Sequence, residues 1–334
     1  MSKYVPDITS QKWVIITSQR ESRPDDNESS LDVDVDPFAP GNEAMTPAEV
    51  FRIGKGKPDA PGWEVRVIPN KYPISDFHEV IIHAPEDGEM HTLITEHAVK
   101  VFQAYRERFN YYHQMGQVII FCNQGSEGGA SLAHPHSQLV VLPHQINIDT
   151  LVREPVKNVI AENDEFQAYC PDFSEWPYEV WIAPKKEDSI FGSITDDGLF
   201  SLVPLVQQSL QKLEQIFKEK YPEKEFSYNY YISPKDNWFL RIIPRMTSIA
   251  GFELCTGLSV NVTDPDEAAK ELGITQGEIN SNIQIPISNF QNLTSNIQHP
   301  NSKSKNEVDE IPEKTPEEKF EDLKSKLASL GEMN

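Results

Sequence analysis

Apolar residues along the chain fall into two patterns, a period-two alternation and a helical stripe, and these arrive in the same order twice. Residues 63–69 (Trp63-Glu64-Val65-Arg66-Val67-Ile68-Pro69) and 79–84 read as strands. A helix then opens near Thr95, a residue able to cap it, and Ala98, Val101, Phe102, Tyr105, Phe109 and Tyr112 recur on one face. Strands follow at 117–122 and 138–142, joined by a glycine-rich loop and ended by Pro143. From residue 178 the order returns. A strand over 178–184 precedes a helix over 196–220, whose stripe is Leu199, Leu202, Val203, Val206, Leu210, Leu213 and Phe217. Strands over 227–232 and 238–243 complete the second set. Short connections after Asn123 and Ser233 predict antiparallel neighbours. The expectation is an α+β fold with a duplicated unit. An N-terminal unit covers 1–170, a C-terminal unit 171–275, and a tail 276–334.

The flanking segments read differently. Residues 21–47 are polar and rich in breakers, and the alternation over 31–36 predicts a short edge strand with its carboxylates facing water. Residues 276–305, rich in Asn, Gln, Ser and Pro, predict a linker. Thr315, Pro316 and Glu318 form a helix start, Phe320, Leu323, Leu327 and Leu330 a stripe, and Gly331 a stop. That short amphipathic helix is expected to dock on the body or on a partner.

The composition narrows the function. The 334 residues carry a net charge of −22, which excludes a general nucleic-acid binder and an anionic membrane surface as partners. No apolar run reaches the roughly 20 residues of a membrane span, and the first residues lack a secretory apolar centre. Three cysteines (Cys122, Cys170 and Cys255) form no CxxC pair, so a cytoplasmic protein without disulfides is expected.

The chemistry concentrates in residues 123–138, Asn-Gln-Gly-Ser-Glu-Gly-Gly-Ala-Ser-Leu-Ala-His-Pro-His-Ser-Gln. Glycines allow close approach of backbone N–H groups to an anion. Pro135 pushes His134 toward extended geometry, so His134, His136 and Gln138 are expected on one face of a strand. A neutral imidazole can attack phosphorus and carry the group covalently, and Gln138 can hydrogen-bond a phosphate oxygen without adding charge.

This HPHxQ stretch resembles the active-site segment of the galactose-1-phosphate uridylyltransferase family, of the histidine-triad superfamily, and also that of the related ADP-glucose phosphorylases. Further motifs in order resemble the same family: Trp13-Val14-Ile15-Ile16, Arg20-Glu21-Ser22-Arg23-Pro24, Pro40-Gly41-Asn42-Glu43, Val67-Ile68-Pro69-Asn70-Lys71-Tyr72-Pro73, Trp176-Pro177-Tyr178-Glu179 and Ile249-Ala250-Gly251-Phe252-Glu253. The resemblance covers about residues 4–272. It implies two tandem histidine-triad-like units, each an antiparallel sheet with a packed helix. It implies His136 as the nucleophile and Gln138 as its phosphate partner. Asn123, Gly129, Ala130 and Ser131 fall on the nucleotide-phosphate loop, and Asn70 on the nucleoside contacts. Arg20 and Arg23 would reach the nucleotide sugar from a neighbouring subunit of a homodimer, and Glu253 would contact the sugar.

The departures from the family pattern carry expectations of their own. Many relatives hold a structural zinc with a CxxC pair, a later histidine and the first histidine of HPH. Those positions here are Asp36, Ala39, Asp87 and His134, a poor set for zinc, so no metal or other cofactor is expected. Residues 237–241 (Asn-Trp-Phe-Leu-Arg) hold no histidine, so the second unit supplies neither a second nucleophile nor a second metal site. The expected reaction is ping-pong nucleotidyl transfer from UDP-glucose to a hexose 1-phosphate (galactose 1-phosphate in the family). Adenylyl transfer from ADP-glucose is the alternative, and a nucleotide-sugar binder without catalysis a third reading.

Overall fold

The computed structural model describes residues 2–6, 12–18, 20, 35–86, 88–146, 148, 156–273 and 297–298. Residues 31–34 of the expected edge strand, Arg23, Asp87, the C-terminal helix and all but two residues of the expected linker lie outside them.

Among the described residues the first two strands, β1 (Lys3–Pro6) and β2 (Trp13–Ile16), pair only with each other. The main sheet takes β3 (Phe51–Gly54), β4 (Trp63–Pro69), β5 (Phe77–Ile82), β6 (Gln117–Gln124) and β7 (His136–Leu142) from the first part of the chain. From the second it takes β8 (Val159–Glu162), β9 (Phe166–Tyr169), β10 (Val180–Pro184), β11 (Tyr228–Ile232) and β12 (Leu240–Pro244). Helix α1 (Thr95–Tyr112) lies between β5 and β6, and α2 (Asp196–Lys220) between β10 and β11. Two shorter helices follow, α3 (Gly251–Thr256) and α4 (Pro265–Leu272), and a two-residue strand β13 (Ile297–Gln298) borders β3.

The spatial order is β13-β3-β4-β5-β7-β6-β11-β12-β10-β9-β8, antiparallel throughout. Around the β6–β11 seam it reads the same from either side. β3 corresponds to β8, β4 to β9, β5 to β10, β7 to β12, and α1 to α2. The α+β class is as expected, but the two halves share one continuous sheet, with Cys122 opposite Tyr230.

Both helices bury their apolar stripes on one face of this sheet, against Val65, Val67, Ile81, Leu139, Val141, Val180, Ile182 and Ile242. Each such side chain contributes roughly 1.5–3 kcal/mol on burial. The other face is covered in patches. Phe38 and Trp63 pack over Ile68, Val80 and Ile82, while Tyr4 packs with Val140 and Leu142. Because β7 is buried on both faces, Ser137 and Leu139 point at the helices while His136 and Gln138 point the other way.

Two details differ from expectation, the cap of α1 and the start of β7. Thr95 does not cap α1: Ile94 is the N-cap, and the Thr95 hydroxyl donates instead to Gln207 Oε1 at 2.8 Å, tying α1 to α2. Thr195 caps α2, accepting from the Gly198 N–H. Strand β7 starts at His136, so His134 precedes it.

Candidate active site

His136 opens β7 opposite Ile82, and Gln138 lies opposite Val80 on the same strand. Its Nδ1 is 2.8 Å from the carbonyl oxygen of His134. A carbonyl can only accept, so Nδ1 carries the proton and the neutral ring keeps its lone pair on Nε2. The His136 carbonyl in turn accepts from the Cys122 thiol at 3.4 Å. Burial pushes that thiol up to about 12, so it remains an S–H donor.

A polar network braces the strand from behind. Ser137 Oγ lies 2.7 Å from His83 Nε2, 2.5 Å from the Tyr105 hydroxyl and 3.2 Å from the Tyr230 hydroxyl. The two tyrosines are themselves 2.7 Å apart. Burial, aided by the neighbouring His136, His134 and His97, holds His83 well below the ordinary histidine range. A neutral ring is the form such an enclosed network can keep.

In front of β7 lies a cavity of about 390 Å³. Phe38, Met45, Pro47, Ile68 and Leu132 form apolar walls, and Arg20, Asn70, Tyr72, Ser131, His136 and Gln138 the polar ones. Phe38 stands edge-on to His136 with centroids 5.4 Å apart, and edge-on to His134 at 6.0 Å. An apolar slot ending in an imidazole and carboxamides suits a flat base joined to an anion.

The glycine-rich loop is shaped by close approach. A Cβ at Gly128 would come within 2.2 Å of the Gln124 carbonyl oxygen, and Gly125 takes φ +74°. The N–H groups of Gly128, Gly129 and Ala130 donate to the loop carbonyls of Gly125, Ser126 and Gly125. At these three positions the N–H groups close turns instead of facing the cavity. Asn123 accepts from Asn229 across the β6–β11 seam at 2.9 Å. Of the expected loop contacts, Ser131 is the one on the cavity wall.

Arg20 lines the cavity of its own chain, donating to the Tyr72 carbonyl at 2.9 Å, whereas the resemblance implied a reach from a neighbouring subunit. Glu253 sits on α3, where its carboxylate accepts the Ala250 N–H and caps its own helix; it does not line this cavity. The segment around 237–241 is closed by other means. Phe239 stacks on Trp181 at 3.9 Å, and Arg241 pairs with buried Glu179 at 2.6 Å.

Sequence reasoning missed Phe38, Tyr72 and His78. Phe38 gave no local signal, since its place depends on contacts with residues almost a hundred positions away. His78 had one. Carrying the β5 alternation two residues further back puts His78 beside Val80 and Ile82, on the face Gln138 uses.

The residues at the positions where the resemblance implied zinc do not fit that metal. Ala39 offers no donor. Both nitrogens of His134 are hydrogen-bonded, Nε2 to the Ala84 carbonyl at 2.8 Å and Nδ1 to Asp36 Oδ2 at 2.5 Å. Among the described residues no group of three or more His, Cys, Asp or Glu is arranged to hold a metal. The Asp36–His134 contact instead fastens the segment that carries Phe38, whose N–H donates to Asp36 Oδ1 at 2.8 Å.

Residues 77–145, from β5 through β7, match the sequence profile "Galactose-1-phosphate uridyl transferase, N-terminal domain". Over the segment that carries His136 and Gln138 the chain thus resembles the galactose-1-phosphate uridylyltransferase family, a family of nucleotidyltransferases. It is 28% identical over 326 residues to ADP-glucose phosphorylase of Arabidopsis thaliana, covering 79% of this chain and 90% of that one. To galactose-1-phosphate uridylyltransferase of Thermotoga maritima it is 25% identical over 194 residues, covering 48% and 61%. The crystal structure of an Arabidopsis thaliana ADP-glucose phosphorylase with bound ADP-glucose superposes with a TM-score of 0.62 at 26% identity, covering 82% of this chain and 99% of that one. A uridylyltransferase structure gives 0.63 at 20% identity over 84% and 99%, a likeness of fold. Among the described residues no helix is long and apolar enough to cross a membrane.

Proposed function

We propose that this chain transfers a nucleoside monophosphate from a nucleoside diphosphate hexose, through a covalent adduct on His136. The observation that carries the reading is the tie between His136 Nδ1 and the His134 carbonyl, which leaves Nε2 as the nucleophilic nitrogen on a cavity wall. Nε2 attacks the α-phosphorus and forms a P–N bond. The bond from that phosphorus to the bridging oxygen breaks, and hexose 1-phosphate leaves with the electron pair. A phosphate oxygen of the acceptor then attacks the same phosphorus, and the imidazole recovers its lone pair. Charge that builds on the non-bridging oxygens would be met by Gln138, Ser131 and Arg20, donors already held in position. No step calls for a metal.

ADP-glucose is the preferred donor. One similarity that spans 79% of the chain is to an ADP-glucose phosphorylase, and the acceptor is then inorganic phosphate. UDP-glucose, with a hexose 1-phosphate such as galactose 1-phosphate as acceptor, is the second reading. It is favoured by the uridyl transferase profile over the catalytic strand. Incubation with each donor labelled in its α-phosphate, followed by detection of acid-labile label on the protein, tests the chemistry and separates the bases.

The active form in this proposal is a homodimer. Ile249, Phe252, Leu254, Leu258, Val260 and Val262 are all more than half exposed along one short segment, an apolar surface that a second copy would cover. Glu253 lies on it, and a partner so placed could receive Glu253 at its own cavity. Sedimentation of the purified chain tests this.

A further inference from the structure

Two backbone N–H groups in the turn before β5 determine what the site offers to phosphate. The Ile74 N–H donates to His78 Nδ1 at 2.9 Å. That nitrogen therefore holds a lone pair, and the neutral His78 ring carries its proton on Nε2. The Tyr72 N–H donates to Asn70 Oδ1 at 2.8 Å, so the opposite end of Asn70 is its donor end. Both donor ends meet one atom. His78 Nε2 lies 2.9 Å and Asn70 Nδ2 3.4 Å from Gln138 Oε1, with the two nitrogens 3.2 Å apart and both turned to that oxygen. His78 and Gln138 are buried and lie on adjacent paired strands, so the contact is set by backbone register.

We infer that His78 is a positioning residue: its Nε2–H fixes the sense of the Gln138 carboxamide, leaving the amide NH₂ as the end presented to a phosphate in the cavity. A carboxamide turned the other way would oppose two donors with its own NH₂ at one end and offer a carbonyl oxygen to an anion at the other. The turn over residues 70–78 thus sets a hydrogen-bond polarity that passes through His78 and Asn70 to Gln138. The kinetic part of this inference rests on the proposed transfer at His136; the tautomer does not.

The test has two arms. A long-range ¹H–¹⁵N spectrum of protein with ¹⁵N-labelled histidine, with His78→Gln as the assignment reference, should show His78 protonated at Nε2 alone. An Nδ1–H tautomer or an imidazolium at neutral pH overturns the inference. In single-turnover labelling, His78→Ala should slow adduct formation about tenfold to a hundredfold. The donor concentration for half-saturation should stay within about threefold, the mark of an interaction used in the transition state. His78→Gln, which keeps an N–H donor, should recover part of the rate. In a Gln138→Ala background there is no carboxamide to orient, so His78→Ala should add little. Labelling of His78→Ala at the parent rate, or fully additive losses, overturns the inference while the proposed function stands. A parent protein that takes no label overturns the function, and the spectrum still decides the tautomer.

Discussion

The Nδ1 atom of His136 lies 2.8 Å from the backbone oxygen of His134, and this contact sets which ring nitrogen carries the proton. Pro135 between the two histidines keeps the preceding backbone extended, so the carbonyl of one residue meets the ring of the other. The same nitrogen would be ambiguous in a freely rotating histidine. Here the orientation is built in before any substrate arrives.

Gln138→Ala removes the amide that would meet developing charge on phosphorus. Loss of one such donor lowers kcat by about a hundredfold to a thousandfold, with a smaller change in KM. Steady-state kinetics with the labelled donor checks this. Equal changes in kcat/KM and 1/KM, with kcat intact, would assign Gln138 to ground-state binding instead.

Asp36 and His134 occupy positions where the family resemblance implied zinc ligands, and here they bond to each other. Prolonged dialysis against a chelator should leave both thermal unfolding and labelling unchanged. Asp36→Ala should cost about 1–3 kcal/mol, since it removes a charged hydrogen-bond partner from the buried His134 ring. It should also weaken donor binding, because Phe38 loses its fastening. Differential scanning calorimetry and a donor titration read the two effects. A chelator-sensitive parent with stoichiometric zinc would contradict this view of the clasp.

Much of this was legible in the chain. Helix α2 over Asp196–Lys220 follows from an uninterrupted apolar stripe, with an acidic first turn and Lys218 and Lys220 in the last. His136 and Gln138 were readable because period two in a strand puts both on one face. What escaped depends on distant parts of the chain. The merger of β6 with β11 is a pairing between segments over a hundred residues apart, and nothing local in Cys122 or Tyr230 announces it. The direction of the loop N–H groups hinges on positive φ at Gly125 and Gly129, which composition permits but does not dictate. The four-residue strands β3, β8 and β9 are too short for their alternation to stand out.

Glu79 and Arg108 form a buried bidentate pair, with oxygen–nitrogen distances of 2.9 and 2.6 Å, and Tyr112 donates to the same carboxylate. The pair ties β5, one residue from His78, to α1. Arg108→Met leaves the carboxylate buried without its cation, a change that costs about 3–5 kcal/mol. The double variant Glu79→Leu with Arg108→Met should be more stable than Arg108→Met alone. Urea unfolding of the three proteins at neutral pH gives the answer, and a double variant less stable than the single one would refute the assignment.

Burial, followed by the charges of Glu214 and Glu225, raises Glu89 from its ordinary range to about 7. An acid whose pKa is raised by folding is held protonated by the native state while the unfolded chain ionises. Its contribution to stability therefore falls as pH rises from about 4.5 to about 7. His91 beside it is shifted down, chiefly by burial, and contributes in the opposite sense as pH rises toward its ordinary value. Comparison with Glu89→Gln isolates the carboxylate. The variant should gain in Tm relative to the parent across this window, and parallel Tm–pH curves would contradict the shift.

The most direct measurement is intact-mass analysis of the parent and of His136→Gly after brief exposure to ADP-glucose and, separately, to UDP-glucose without acceptor. The parent should gain the mass of one nucleoside monophosphate less water, lost again on adding inorganic phosphate or a hexose 1-phosphate. His136→Gly should gain nothing while still binding the donor. An unmodified parent that nevertheless turns over the donor, or an adduct that survives in His136→Gly, would contradict covalent transfer through this histidine.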